Sequence, residues 1–233
     1  ALIGVSVELD SLHSGTMGIV DGKDAVFCVD PDEATIAAAH EMQARAAEQK
    51  RLLANYKGRP SVTKSGRKVN VYANIGSVSD VAYVQENDAE GIGLFRSEFL
   101  YMENSRFPTE QEQFEIYKQA AERLKKPITI RTLDIGGDKN LPYYQFEKEE
   151  NPFLGWRAIR FCLDMRDVFK TQLKAILRAA AFGDIRIMYP MIVSVEEFRK
   201  ANAILEECKA ELRERKLLFR ESISTGIMVE TRA

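Results

Sequence analysis

Cysteine is scarce in this sequence. Its three residues, Cys28, Cys162 and Cys208, are odd in number and lie far apart. Such a set forms neither a disulfide framework nor a zinc site, and it favours buried or free thiols in a reducing compartment. A cytoplasmic location is therefore predicted. The longest apolar runs, such as residues 185–193, are too short to cross a bilayer, so no membrane segment is predicted.

An excess of charge of either sign is also missing. The 33 basic and 35 acidic side chains leave a formal net charge of −2, which provides no polycation for nucleic acid and no basic face for a membrane. We therefore predict neither a nucleic-acid nor a membrane partner. The two histidines, His13 and His40, have no carboxylate or nucleophile in a recognisable pattern around them, and we expect both to be exposed structural residues.

The first 57 residues predict a small β-rich unit and a connecting helix. Asp21-Gly22 lies between two short apolar runs, which is the pattern of a hairpin. Residues 30–33 combine capping carboxylates with a proline, and so predict a helix start. The following stretch, 34–56, predicts a long helix whose apolar stripe is thin, as is typical of a connector between domains.

From residue 61 onwards, strand-like apolar runs alternate with amphipathic helical stretches. Near-continuous apolar strands separated by helices predict a parallel sheet that is covered on its faces. A doubly wound open sheet is the rival architecture, but the first βα turn carries Asn74-Ile75-Gly76 rather than a glycine-rich dinucleotide fingerprint. We therefore predict an α/β fold, an incomplete (β/α)8 TIM barrel of about five strands. The predicted strands are 69–75, 91–95, 128–133, 185–191 and 227–229, and the predicted helices are 109–124, 167–181 and 195–216.

Charged residues at the ends of these strands indicate a site for an anion. Arg96, Arg131 and Arg157 lie at or beyond strand ends, where the active sites of parallel βα folds are formed. The planar fork of arginine binds carboxylate and phosphate in bidentate fashion, so three arginines suit a ligand that carries both groups. Glu230, at the end of the fifth strand, is then a natural ligand for Mg²⁺.

A structural alternative exists for the same residues. A single arginine near a strand end is more often a member of a surface ion pair. Glu98 and Asp134 are candidates for the partners that would make Arg96 and Arg131 merely structural. From the residues alone, the prediction is an anion site without a particular reaction.

Five segments, taken together, resemble one family closely. They are residues 73–76, 93–102, 131–139, 149–160 and 227–231, in this order and spacing. The family is Enzyme I, the phosphoenolpyruvate (PEP)–protein phosphotransferases of the bacterial sugar phosphotransferase system, within the wider group of PEP-utilising enzymes. The resemblance covers the whole chain.

The resemblance implies a mechanism. PEP is expected at the mouth of a TIM barrel with Mg²⁺, and a histidine on a separate swivelling domain takes its phosphoryl group and passes it to the phosphocarrier protein HPr. Arg96 and Arg131 match the arginines that grip the phosphate of PEP, and Arg157 matches the third arginine of that site. Glu230 matches the first of two carboxylates that bind Mg²⁺. A homodimer formed through the barrel domain is also implied.

The departures from the family pattern limit these expectations. The motif of the phosphorylated histidine, the second metal carboxylate and the Cys-Gly pair near the end of the barrel do not occur here, so no catalytic residue is predicted within this chain. Arg232 stands where the family has proline. The chain is expected to be a fragment that does not autophosphorylate from PEP. Its predicted parts are the end of the swivelling domain (1–30), a linker helix (31–57) and the first part of the barrel (58–233).

Two other functions share these features. PEP synthase and pyruvate phosphate dikinase contain the same barrel, but residues 149–160 match Enzyme I better and no nucleotide-binding sequence is found. A non-catalytic dimerisation or regulatory module is the alternative from a different class. The sugars that a parent protein would serve are not encoded in these residues.

Overall fold

Two units of structure are formed by this chain. The computed structural model describes residues 12–137, 139 and 141–231. The chain divides into compact units at residues 1–59 and 60–233. Among the described residues, no helix combines the length and the apolar character that crossing a membrane would need.

The first unit contains the hairpin and the helix expected from the sequence. Strand β1 (Gly18–Asp21) pairs antiparallel with β2 (Val26–Val29), which confirms the hairpin. Helix α1 (Glu33–Ala54) begins after Asp32, whose carboxylate accepts a hydrogen bond of 2.8 Å from the N–H of Thr35. Within this helix no residue is buried, in agreement with its thin apolar stripe. The division into a swivelling-domain remnant and a linker remains a prediction.

The second unit is built on a parallel sheet whose strands follow the order of the sequence. Because each strand pairs with the next one along the chain, the order is that of a barrel wall and not that of a doubly wound sheet. This confirms the predicted incomplete barrel, and among the described strands the sheet is not closed. The strands, in sheet order, are β3 (Ala73–Ile75), β4 (Ile92–Arg96), β5 (Ile128–Arg131), β6 (Ile185–Tyr189) and β7 (Thr225–Ile227).

Helices connect these strands, and two of the longest begin with capping boxes. Thr109 and Glu112 form one box, and Ser194 and Glu197 form the other, so the side chains satisfy backbone N–H groups that the first helical turn leaves open. The helices are α2 (Val81–Glu86), α3 (Phe99–Met102), α4 (Glu110–Leu124), α5 (Ile159–Asp164), α6 (Arg166–Ala179) and α7 (Val195–Glu214), with short 3-10 turns at Val78–Asp80 and Ala180–Phe182.

The first strand is shorter than the predicted range of 69–75. It begins at Ala73, and Val69 and Val71 are 44% and 52% exposed. The N–H of Val71 donates a hydrogen bond of 2.7 Å to the carboxylate of Glu90. The N–H of Val71 is therefore satisfied by a side chain, although its carbonyl oxygen still accepts a backbone bond of 2.9 Å from the N–H of Glu90.

The two faces of the sheet differ in polarity. Successive side chains of a strand point to opposite faces. Phe95 and Ile130 are fully buried, and Phe95 meets Tyr117 of α4 edge to face, with ring centroids 5.7 Å apart. Arg96 and Arg131 follow them directly in sequence and are paired in register. The apolar face thus packs against the helices, and the arginines belong to the other face, at the carboxyl ends of β4 and β5.

Gly91, which directly precedes β4, lies at a tightly packed position. A Cβ added at Gly91 would lie 2.6 Å from the carbonyl oxygen of Pro127, whereas nothing lies within 4 Å of one added at Gly226. Gly91→Ala is therefore expected to lower the free energy of unfolding by about 1–3 kcal/mol in urea titrations. Gly226→Ala, on the same sheet, is the matched control and is expected to change it by less than about 0.5 kcal/mol. Equal losses in both variants would contradict the close approach.

Candidate anion-binding site

A buried arginine lies between two carboxylates at the end of β5. Arg131 is the last residue of that strand. Its Nη2 lies 2.5 Å from Oε1 of Glu98, and its Nη1 lies 3.0 Å from Oδ2 of Asp134. All three side chains are at most 8% exposed. The guanidinium is thus clamped from both sides, by the turn that follows β4 and by its own loop.

Two further cations complete what we call the charge cluster: Glu98, Arg131, Asp134, Lys139 and Arg157. Arg157 Nη2 lies 2.9 Å from Asp134 Oδ1. Lys139 Nζ donates a hydrogen bond of 2.6 Å to the backbone carbonyl of Asp134 and lies 3.4 Å from Glu98 Oε1. With three cations and two carboxylates, the cluster carries one formal positive charge.

Several polar atoms of this region are buried without a hydrogen-bond partner among the described residues. They include Glu98 Oε2, Arg131 Nε and the Oγ1 of Thr132. A buried polar group that lacks a partner costs about 1–3 kcal/mol, and in native proteins such groups mark places where solvent or a ligand supplies the bond. Arg131 Nε, which lacks a hydrogen-bond partner among the described residues, is a donor suited to an anion.

The cluster keeps its central carboxylate ionised. Burial raises the pKa of Asp134, but the charge of Arg131, the hydrogen bond from Arg157 and the charge of Lys139 outweigh it, so this pKa lies below its ordinary value. An opposite charge at this distance favours the ionised form of a carboxyl group. Asp134 therefore stays ionised, and paired with Arg131 and Arg157, to a lower pH than an isolated aspartate would.

Strained backbone fixes the position of Arg157. The residue that follows it, Ala158, has φ 51° and ψ −122°, a conformation that residues with a Cβ rarely adopt. Ala158 is fully buried, and its N–H donates a hydrogen bond of 2.9 Å to the carbonyl of Ile135. Packing and this bond hold the strained turn in place, and strain of this kind concentrates at functional sites.

Arg96 lies on the neighbouring strand but outside the charge cluster. Its Cα is paired with that of Arg131. Its side chain is exposed, and the guanidinium lies 5.0 Å from the centroid of the Phe99 ring. Gly76 allows this ring to approach, because a Cβ there would lie 2.9 Å from it. The ring thus supports a solvent-facing arginine beside the buried one.

Glu230 lies near the end of β7 and is held by one hydrogen bond. Its Oε1 accepts a bond of 2.8 Å from the N–H of Met191, which follows β6 and has a positive φ of 57°. Met228, two residues before Glu230, lies 3.6 Å from Arg131 Nη1 through its sulfur. The described residues contain no group of three or more histidine, cysteine or acidic side chains able to hold a metal.

Of the residues predicted for the site, the structure brings Arg131 and Arg157 into one cluster and places Arg96 on the adjoining strand. Lys139 was missed, although the sequence offered a signal, since this lysine lies in the loop that follows Arg131. Glu98 and Asp134 were candidate partners of Arg96 and Arg131, and the structure pairs both of them with Arg131. His13 and His40 are both exposed, as expected.

A wall of parallel strands with charged side chains at its carboxyl ends is the arrangement in which barrel domains form their active sites. Residues 50–233 match the family described as PEP-utilising enzyme, PEP-binding domain, and the chain belongs to that family. This confirms the wider family inferred from the five sequence segments.

Three relatives are similar to nearly the whole chain. All three are named phosphoenolpyruvate-protein phosphotransferase. They come from Priestia megaterium (48% identical over 231 residues), Haemophilus influenzae (46% over 232 residues) and Mycoplasma capricolum (44% over 230 residues). In each case 99% of this chain is covered, and the chain spans about 40% of the relative's length.

Proposed function

We propose that the charge cluster and Arg96 bind PEP, with the phosphate held by the arginines at the ends of β4 and β5. The observation that carries this proposal is the buried, net positive cluster around Arg131, whose Nε has no protein partner among the described residues. PEP carries a phosphate and a carboxylate, and bidentate arginines recognise both groups. Arg157 and Lys139 add charge from the loops that follow β5.

We further propose that the protein to which this chain corresponds transfers the phosphoryl group of PEP to a histidine and then to HPr. The names of the similar proteins and the shared family support this. In phosphoryl transfer, catalysis consists mainly of positioning and of neutralising charge on the transferred group. The residues of this chain would orient PEP and stabilise that charge, and the accepting histidine would be supplied by another part of the protein.

We propose that Glu230 contributes a ligand for Mg²⁺ at this site. Magnesium is usually held by one or two carboxylates together with substrate phosphates, and not by a complete cage of protein ligands. The bond from Met191 N–H fixes one carboxylate oxygen of Glu230, two residues after Met228, whose sulfur contacts Arg131. When bound, the ion would neutralise part of the charge on the phosphate.

We also propose a homodimer and a cytoplasmic location. A homodimer through the barrel domain is what the resemblance implies. The three cysteines form no disulfide, and Cys162 and Cys208 are buried, which suits a protein of the reducing cytoplasm.

The PEP site is tested by calorimetry of this chain with PEP, inorganic phosphate and pyruvate. PEP is expected to bind more tightly than either fragment, because only PEP engages both kinds of contact. Arg157→Lys keeps the charge but loses the planar fork, and should weaken PEP binding about tenfold. The control Arg213→Lys alters an exposed arginine that pairs with Glu221 and should leave the affinity unchanged. Equal affinities for PEP and phosphate would contradict the proposal.

A further inference from the structure

Helix α6 carries a fully buried glutamine on the face that packs against the sheet. Gln172 is 0% exposed. Phe169, Leu173 and Ile176, which lie three, one and four positions away, are buried apolar residues of the same helix. A leucine or methionine would fill this position equally well, and a buried amide is costly unless its polar atoms are bonded.

All three hydrogen-bonding groups of this amide are used. Its Oε1 accepts a bond of 2.8 Å from the N–H of Leu133, and its Nε2 donates to Ser97 Oγ at 2.9 Å and to Tyr117 Oη at 3.2 Å. A backbone N–H can only donate, so the amide oxygen must face Leu133 and the NH₂ group must face the two hydroxyls. The orientation of the amide is thus fixed by chemistry.

We call the two carboxylates that pair with Arg131, Glu98 and Asp134, the clamp. Gln172 bonds the residue that precedes each of them. Leu133 immediately precedes Asp134. Ser97 immediately precedes Glu98, and its hydroxyl donates a bond of 2.7 Å to the carbonyl oxygen of Arg131. One amide therefore holds the turn after β4 and the loop after β5 at a set separation. That separation decides where Glu98 and Asp134 meet the guanidinium.

We propose that Gln172 is a positioning residue for the anion site: it sets the spacing of the two carboxylates that orient Arg131, without touching the ligand. The inference rests on the proposed function, because its consequence is read in PEP binding. A residue that only supported the sheet would affect stability and leave the geometry of Arg131 unchanged. Groups that orient a binding residue from behind typically alter affinity or activity about 10–100-fold when they are removed.

A substitution that introduces an ionisable group distinguishes a positioning role from a role in stability alone. In Gln172→Glu, the protonated carboxyl group has a carbonyl oxygen for Leu133 and an O–H for Ser97, so it reproduces most of the native bonds. The ionised form has no donor, and the bond to Ser97 then forms only if that hydroxyl turns away from Arg131. Burial raises the pKa of such a group, so the site should weaken as the pH rises through that value.

The experiment measures PEP affinity by calorimetry at about pH 5.5 and about pH 8.5, on either side of a raised carboxyl pKa. The ratio of variant to wild-type affinity removes the titration of PEP itself. For Gln172→Glu this ratio should be near one at low pH and fall about tenfold at high pH. Gln172→Met should be weakened at both pH values. The Nε–Hε NMR signal of Arg131 should shift between the two pH values only in Gln172→Glu.

Gln113→Glu is the matched control, since Gln113 is equally buried and belongs to the same network. Its Oε1 accepts bonds from Tyr101 and Tyr117 and it does not contact the clamp. Its affinity ratio should not depend on pH. A constant ratio and an unmoved Arg131 signal in Gln172→Glu would overturn the inference, even if the variant melted earlier. Absence of any heat with PEP in the wild type would reject the proposed function, and the Arg131 signal would then decide the positioning role by itself.

Discussion

Replacing Arg131 with methionine should lower the free energy of unfolding by about 3–5 kcal/mol and abolish PEP binding. The large effect follows from burial, because Glu98 and Asp134 are both ion-paired to this guanidinium and are almost inaccessible to solvent. Removal of one partner leaves charge in a place that water cannot reach. Asp134 keeps Arg157 as a partner at 2.9 Å, whereas Glu98 keeps only the longer ion pair with Lys139 at 3.4 Å, so Glu98 bears most of the loss. Urea titrations followed by circular dichroism measure the change.

A double variant identifies the cause of that loss. In Arg131→Met/Glu98→Gln, the buried carboxylate that Lys139 alone would compensate is gone, so part of the stability should return and the two substitutions should be coupled by about 0.5–3 kcal/mol. PEP binding should not return, because the arginine is still missing. Arg213→Met is the control, since its ion pair with Glu221 is solvent-exposed and exposed pairs contribute little. Additive losses would show that the clamp is not a coupled unit.

The fold could be predicted from the sequence because its apolar strand runs and its amphipathic helical stretches are both clear. Apolar runs such as 128–131 alternate with amphipathic helices whose capping residues, among them Thr109 and Ser194, are visible as local patterns. The boundary of β3 could not be predicted, since residues 69–72 are typical of a strand in composition. In the structure Val69 and Val71 are exposed and the N–H of Val71 bonds the side chain of Glu90, and a contact across that separation leaves no trace in a local pattern.

The candidate site was predicted only in part, for a similar reason. Strand ends pointed to Arg131 and Arg157, and the structure joins both through Asp134. The partner of Glu98 depends on the register between β4 and β5, which the sequence does not state. Gln172 does not stand out in the sequence, because a single polar residue at an apolar helical position gives no local sign of its partners. Its position between the two strand ends is a property of the packed structure.

Asp134→Asn should make the protein less stable at neutral pH and less sensitive to acid. The charges around Asp134 hold its pKa below the ordinary value despite burial. The unfolded chain, with a pKa near 3.9, therefore binds the proton more readily than the folded protein does. The resulting stabilisation is fully present above the unfolded-state pKa and is lost as the pH falls through the folded-state value.

The difference in free energy of unfolding between wild type and Asp134→Asn should thus be largest near neutral pH, at about 3 kcal/mol, and shrink as the pH falls towards and below about 3.9. Urea titrations at a series of pH values measure it. Asp184→Asn provides the control, because its pair with Arg186 is exposed, and its difference from wild type should stay small throughout. A loss in Asp134→Asn that did not vary with pH would mean that shape and hydrogen bonding, and not the ionised carboxylate, hold Arg131 and Arg157 together.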